Sequence, residues 1–530
     1  MATAARRGKS SPRASGKKSK SARSVATASK ENNRPPQALL AIVQNYIDGR
    51  WRDAEFGETT DVEDPSNGRI IAKAPAGTVR DAKAAIESAK KAFSTWKATP
   101  PMVRARYVLK AFQIAESRKE ELARIMAIEG GKVLSDARGE ITKGNNLLEF
   151  YAGEGFRFYG ETAPSELAGN FLYTIRQPIG VVGVVTPWNF PWAIPCWKIA
   201  PALVAGCTVV FKPASFTPYL AAELVRCFES AGLPAGVLNF VVGAGSKVGN
   251  EIITHKDVKV VSFTGSCGVG RKVEEMCGIL NKKVTCEMGG KNPCVILSDA
   301  DLDAAVCGVI RGAFGNAGQR CTATSRLILE ESIADKFLEK LLPEVKKIVP
   351  GPGIDPASTM SPLIDKSQLD VVLGYIAKAR SEGNKLLIGG NRIIRDGLDK
   401  GYFVEPTVFD HVRTTDTLFQ EEVFGPVLAV TRVKNSDEAF RAANQVVFGL
   451  SSSIYTRDLN TAMRFIDAIE AGMVHVNSPT IGGEAQVPFG GIKESGCGGR
   501  EMAKDGIQFF TELKTVFIDY TGGARMSNIY

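Results

Sequence analysis

The chain has 530 residues, of which 44% are hydrophobic, 23% charged and 8% aromatic. These values lie near the soluble globular average and exclude wholesale disorder, a collagen-like fibre and a small disulfide scaffold. The net charge is +9, yet residues 1–30 hold nine Lys or Arg and no acid, which leaves 57 basic and 57 acidic residues in the rest. The body of the protein is neutral, so the charge predicts no basic active face.

Length alone predicts roughly two to four domains. None of the ten cysteines forms a CxxC pair, and His255, His411 and His475 lie far apart, so no metal site is expected. Scattered cysteines fit a reducing, cytoplasmic compartment. No apolar run reaches the roughly 18 residues of a membrane span. The longest apolar stretch, residues 179–211, is broken by prolines and reads as buried strand and loop.

Residues 1–36 carry no Leu, Ile or Phe. They cannot bury enough surface to offset ordering entropy and are read as a disordered basic tail. A transit peptide and a nucleic-acid patch at GKKSK compete with this reading, but a plain solvated extension is preferred. After Pro36 the chain becomes globular. Residues 79–95 and 103–130 carry helical spacing. From about 178, strands and helices alternate: PIGVVGVVTPWN, CTVVFKP, VLNFVVG, VKVVSFTG and KVTCEMGG read as strands, with helices such as TPYLAAELVRCFESAG, SKVGNEIITH and GVGRKVEEMCGIL between them. Nearly continuous apolar strands joined by helices imply a parallel sheet covered on both faces. The alternation restarts after Gly290 with PCVILS and continues through LLIGG, FVEPTVF, VLAVTRV and SSSIYT, which predicts a second α/β domain. KTVFIDYTG reads as a strand beyond its core.

Five segments are candidates for chemistry. GAGSKVG at 243–249, with Gly245 and Gly249, follows a strand and opens a helix as a dinucleotide loop does, but its spacing is GxGxxxG. FTGSCGVG at 263–270 brings Phe263, Thr264, Gly265 and Ser266 to the start of a helix, where backbone N–H groups favour phosphate. GNAGQRC at 315–321 presents Cys321 beside Gln319 and Arg320, an exposed loop thiol near positive charge and so a candidate thiolate nucleophile. CEMGGKN at 286–292 places Glu287 at the end of an apolar strand, where burial can tune a general base. TPWNFP at 186–191 frames Asn189 between prolines, which suits an oxyanion donor. Each has a bland alternative: a glycine turn, a buried small thiol, a salt-bridged carboxylate or a proline-framed loop.

Taken in order, TPWNFP, FKPAS, FTGS, EMGGKN, GQRC, EEVFGPV and PFGGIKESG resemble the aldehyde dehydrogenase superfamily from about residue 40 to 520. The resemblance implies an α/β subunit with a Rossmann-type dinucleotide-binding domain (37–157 and 178–289) and a second α/β catalytic domain (290–499). A small β oligomerisation arm (158–177 and 500–530) would complete a homodimer or homotetramer. It implies that Cys321 attacks the aldehyde, that Asn189 and the Cys321 N–H hold the oxyanion, and that Glu287 activates water to hydrolyse the thioester. Thr186, Pro187, Trp188, Lys212, Gly245, Gly249, Phe263, Thr264, Gly265, Ser266, Gly289, Glu422 and Phe424 would bind NAD or NADP. Many NAD-preferring members carry Glu where this chain has Ser215, so NADP is the preferred expectation.

Within the superfamily, GQRCTATSR and VNSPTIGGEAQVPFGG look most like 2-oxoglutarate-semialdehyde (2,5-dioxopentanoate) dehydrogenases, and KPAS and FRFYGE also resemble succinate-semialdehyde dehydrogenases. That likeness places Arg157 on a substrate carboxylate, with Arg320 also at the substrate. Gly315 stands where succinate-semialdehyde enzymes often carry a second Arg. A broad-specificity aldehyde dehydrogenase is one alternative. A protein that binds anions or nucleic acid through its tail is another, though neither a nucleic-acid nor a membrane partner is expected.

Overall fold

The computed structural model describes residues 41–523. The basic tail expected at 1–36, and the end of the expected arm beyond 523, lie outside the described residues. Residues 41–523 belong to one compact unit.

The Val-rich runs form the centre of an eight-stranded sheet. Its order is 496–497, 283–287, 258–264, 181–185, 208–212, 238–240, 45–47 and 50–52. The five strands from 283–287 to 238–240 run parallel. Val181–Val185 is buried along its whole length, as a strand covered on both faces must be. The chain departs from it in both directions: toward 208–212 and 238–240 on one side, toward 258–264 and 283–287 on the other. The strand order therefore reverses beside Val181–Val185, and a crevice opens there at the carboxyl ends of the strands. Antiparallel strands finish both edges. At one edge Cys286 pairs with Cys497 and Glu287 with Gly496; at the other Phe240 pairs with Tyr46.

Two readings from sequence differ from the structure. The stretch expected as buried loop holds a helix, Ala193–Ala205, with every residue buried. A helix enclosed on all sides needs no amphipathic period, so its pattern is that of a buried strand. Pro201 sits inside it, and Gly206 closes it at φ 99°. Each fully buried residue such as Ile199 or Leu203 contributes about 1.5–3 kcal/mol of transfer free energy. The helical spacing at 103–130 belongs to two helices, Pro101–Ser117 and Lys119–Glu129. They break at Arg118, whose guanidinium bonds Glu121 and Glu223. The Glu129 carboxylate then accepts from the Tyr219 and Leu220 N–H groups at 2.7 and 2.9 Å and caps helix Pro218–Ser230.

A second, seven-stranded sheet runs 385–388, 407–410, 427–433, 324–330, 292–296, 451–455 and 473–476, parallel except for its 385–388 edge. A three-stranded sheet joins Thr162–Ala163, Asn170–Pro178 and Thr511–Asp519, the last two in unbroken antiparallel register from Thr511↔Pro178 to Asp519↔Asn170. Phe171, Leu513 and Phe517 are exposed on it. No helix among the described residues is long and apolar enough to cross a membrane.

Candidate active site

Cys321 lies between helix Leu302–Phe314 and strand Thr324–Glu330. The connecting loop turns through left-handed backbone at Asn316 and Ala317, both φ 51°, and at Gly318, φ 70°. A Cβ at Gly318 would collide with the Gly425 carbonyl, so the turn requires glycine there. Gln319 points inward and ties the loop together. Its Nε2 donates to the Asn316 and Pro362 carbonyls at 3.2 and 3.1 Å, and its Oε1 accepts from Ile364 N–H at 3.0 Å. Asn292 Nδ2 donates to the carbonyls of Cys321 and Ala323, both at 2.8 Å. These bonds fix the backbone around Cys321.

The environment of the thiol corrects the sequence reading. Cys321 is not an exposed thiol poised by neighbouring positive charge. Burial first, then the carboxylates of Glu422 and Glu287, push its pKa up to about 12 against the opposing influence of Lys143. Gln319 faces the core, and the Arg320 guanidinium is bound to Asp136 at 2.7 Å. The half-buried setting of Cys321 thus favours the thiol over the thiolate.

Asn189 follows strand Val181–Val185 and is buried. Its Nδ2 donates to the Gln319 carbonyl at 3.0 Å, leaving the second amide N–H for another acceptor. A buried Lys132–Glu140 ion pair sets the loop from behind. Lys132 Nζ donates to the Asn189 carbonyl at 2.8 Å and lies 4.1 Å from the Phe190 ring centroid. Glu140 Oε1 accepts from the Trp192 and Ala193 N–H groups at 3.0 and 3.2 Å, which caps the buried helix. Sequence reasoning missed this pair, because its members sit far from TPWNFP in the chain.

Glu287 ends strand Lys283–Glu287 and is buried, with Oε2 unpartnered. Burial, and then the Glu501 carboxylate, hold its pKa well above the usual carboxylate range, against Lys198 and Arg500. Glu501 is itself bound by Lys198 and by Trp197 Nε1 at 2.6 Å. A Cβ at Gly490 would collide with Glu287 Oε1, so glycine there makes room for the carboxylate. Glu287, Cys321 and Thr264 line one cavity of about 930 Å³.

At the crevice, Thr264 Oγ1 is buried without a partner, and Ser266 precedes helix Cys267–Ile279. Gly245 and Gly268 face open space, so a ligand can approach their backbone closely. The Phe263 ring packs under Gly265, leaving no room for a Cβ. Thr186 N–H donates to the Lys212 carbonyl at 3.2 Å. Lys212 lies beside Gly249, donates to the Pro213 carbonyl at 2.7 Å and is lowered by burial to about 8. Ser215 is exposed. Glu422 Oε1 accepts from Gly290 N–H at 2.8 Å and fills the space a Cβ at Gly289 would need. Burial raises Glu422 to about 7, against that bond and Lys291. Phe424, at φ 54°, meets Trp188 edge-on with centroids 5.6 Å apart, and Pro187 is half-buried beside it. A phosphate-favouring helix start, open glycine backbone and an unpartnered hydroxyl at a switch point fit a dinucleotide. Among the described residues no three His, Cys, Asp or Glu side chains are grouped to hold a metal ion.

A family model described as "Aldehyde dehydrogenase family" matches residues 51–516. The chain belongs to the aldehyde dehydrogenase family. It is 44% identical over 475 residues to the alpha-ketoglutaric semialdehyde dehydrogenase of Bacillus subtilis, covering 89% of this chain and 97% of that one. It is 42% identical to the 2,5-dioxopentanoate dehydrogenase of Saccharolobus solfataricus, covering 88% and 98%. It is 40% identical to the succinate-semialdehyde dehydrogenase (NADP(+)) of Escherichia coli, covering 90% and 97%. Betaine aldehyde dehydrogenase from Staphylococcus aureus, solved in complex with NAD+, superposes with a TM-score of 0.89 at 34% identity over 92% of this chain and 96% of that one.

As an aldehyde dehydrogenase the chain is an enzyme that oxidises an aldehyde with a nicotinamide dinucleotide. The structure places Arg157 away from the cavity that holds Cys321. That side chain is half-exposed, bonds Glu154 at 2.7 Å, and lines a separate cleft with Lys504, Gln508 and Leu513. The partner was readable three residues upstream, at i,i+3 spacing. Arg320 lines the cavity that holds Cys321, where its guanidinium covers Gly315 and takes the space of a side chain there. Lys143, absent from the sequence reading, lines the same wall.

Proposed function

We propose that this aldehyde dehydrogenase oxidises a short semialdehyde bearing a distal carboxylate, of the 2,5-dioxopentanoate class, and releases the free acid. The meeting of Cys321 and Glu287 in one cavity, with Asn189 bonded to the loop that carries Cys321, carries the reaction type. The named substrates of the relatives above support the substrate class. Succinate semialdehyde is the second reading, supported by the Escherichia coli relative.

Glu287 is the cavity's base. Its raised pKa makes it a stronger proton acceptor than an ordinary carboxylate and suits it to a thiol or a water. In its ionised form it takes the Cys321 proton, and the sulfur attacks the aldehyde carbon. Asn189 Nδ2 and the Cys321 N–H donate to the resulting oxyanion. When bound, the nicotinamide ring supplies the hydride acceptor. The tetrahedral centre on sulfur then becomes a thioester. Glu287, its proton released to solvent, deprotonates a water that attacks the thioester, and Cys321 leaves as the acid forms.

Thr186, Gly245, Gly265 and Ser266 would hold the pyrophosphate end of the cofactor, Lys212 the adenosine ribose, and Glu422 and Phe424 the nicotinamide side. NADP is the preferred cofactor in this reading, because an exposed Ser215 three residues after Lys212 leaves no carboxylate to repel a 2′-phosphate. Phe171, Leu513 and Phe517 on the three-stranded sheet support assembly into a homodimer or homotetramer through it.

The test is initial rates with 2,5-dioxopentanoate, succinate semialdehyde and pentanal, each with NADP and with NAD. Faster turnover of the two acids is expected, with NADP ahead. Preference for pentanal overturns the substrate class, and strict NAD use overturns the argument from Ser215.

A further inference from the structure

The charges around the catalytic cavity are nearly all paired. Lys132 is bound to Glu140, Arg320 to Asp136 at 2.7 Å, and Lys347 to Glu344 at 2.7 Å. Arg311 is exposed. Glu287 is buried with its carboxyl held toward the neutral form. Lys143 is different. It projects from helix Leu134–Glu154, is half-buried, and has no ion pair or hydrogen bond among the described residues.

What surrounds Lys143 is aromatic and glycine. Its Nζ lies 5.3 Å from the Trp197 ring centroid and 5.7 Å from that of Phe489. A Cβ at Gly483 would sit only 3.4 Å from the ammonium, and Gly483 takes φ 132°, a conformation that side chains rarely adopt. Gly139, four residues before Lys143 on the same helix face, has open space where a Cβ would be. The ammonium thus lies to one side of two rings whose own centroids are 5.4 Å apart, with room left around it. Burial lowers its pKa, while the Cys321 sulfur and Glu140 act in the opposite direction. Glu140 is already engaged by Lys132 and two backbone N–H groups.

We infer that Lys143 is the specificity-determining cation of this enzyme and receives the substrate's distal carboxylate while the aldehyde carbon lies at Cys321. The inference rests on the proposed carboxylated-semialdehyde reading and gives it a residue. A partly dehydrated ammonium without a counter-ion gains more from a carboxylate than a solvated or paired one does. The rings of Trp197 and Phe489 both lie within cation–π reach of the Nζ and favour its place there. Arg320, tied down by Asp136, shapes the wall rather than meeting the acid directly.

The experiment compares wild type, Lys143→Gln and Lys143→Arg with 2,5-dioxopentanoate and with pentanal at saturating cofactor. The readout is the ratio of the two kcat/KM values. Loss of one charge-assisted contact lowers that ratio by about 10- to 100-fold in Lys143→Gln, chiefly through KM for the acid. Lys143→Arg, which keeps the charge, restores most of it. An unchanged ratio in Lys143→Gln, in an enzyme whose wild type prefers the acid, overturns the role of Lys143 and spares the substrate class. An equal fall for both substrates also overturns it, and makes Lys143 a prop for Trp197 and Phe489. A wild type without preference for the acid overturns the substrate class and the inference together.

Discussion

Replacing Glu140 by Gln tests whether the buried pair behind the Asn189 loop governs catalysis from a distance. Gln keeps a carbonyl oxygen for the Trp192 and Ala193 N–H groups, so the cap on the buried helix survives. What disappears is the charge facing Lys132. Stranding one member of a buried ion pair costs about 3–5 kcal/mol. Lys132 retains the Asn189 carbonyl at 2.8 Å and the Phe190 ring at 4.1 Å, and the ring recovers up to about 2 kcal/mol. The remaining 1–3 kcal/mol, roughly, draws Lys132 toward its other acceptor, which is Asn189 itself. A displacement of about 1 Å at an oxyanion donor lowers the rate by about 10²-fold. The assay is kcat at saturating substrate and cofactor for Glu140→Gln, Lys132→Met and the double variant. With the stranded charge removed, the double variant is expected to be faster than Glu140→Gln, with a coupling energy of at least about 1 kcal/mol. Additive losses, or an unchanged kcat in Glu140→Gln, would refute the coupling of this pair to Asn189.

Three further outcomes are expected. Glu287→Gln allows at most one equivalent of reduced cofactor per Cys321 and slows steady-state turnover by about 10²–10⁴-fold, measured by rapid mixing; unimpaired steady-state hydrolysis would count against Glu287 as the water-activating base. Because Glu501 raises the Glu287 pKa and neutralises Lys198, Glu501→Gln removes a raising influence and frees a lowering one; Glu287 then ionises at lower pH, so the acidic limb of the kcat–pH profile moves down, and a limb that stays or moves up contradicts the assignment. Ser215→Glu is expected to lower kcat/KM for NADP relative to NAD by about tenfold, as an exposed carboxylate near a phosphate does; an unaltered ratio places the 2′-phosphate elsewhere.

The five central parallel strands of the first sheet and five strands of the second were readable from their apolar runs, whereas 45–47, 50–52, 496–497, 324–330 and 473–476 were not. Motif order led to Cys321 and Glu287, which share a cavity, and to Asn189, which bonds the nucleophile's loop. Helix Ala193–Ala205 was misread because complete burial erases the period that marks a helix. The state of Cys321 was misread because chain neighbours are not spatial neighbours. Gln319 turns inward, and Asp136, which holds Arg320, lies 184 residues away. Lys132, Glu140 and Lys143 carry no local signature, since their meaning comes from what folds against them. Arg157 was placed by the resemblance of FRFYGE, and a resemblance in sequence does not show which cleft the side chain adjoins.

The bonds that finish the surroundings of Glu287 come from far along the chain, and this matters while the protein is being made. Glu501 binds Lys198 across 303 residues, and the strand beside Glu287 arrives only with Gly496 and Cys497. At about 5–20 residues per second of synthesis, the 303-residue gap corresponds to about 15–60 s on the ribosome. Throughout that interval Lys198 and Trp197 lack their carboxylate, and an apolar helix waits for the last of its cover. A nascent chain short of residue 496 therefore carries Lys198 and Trp197 without their carboxylate and Glu287 without its neighbouring strand.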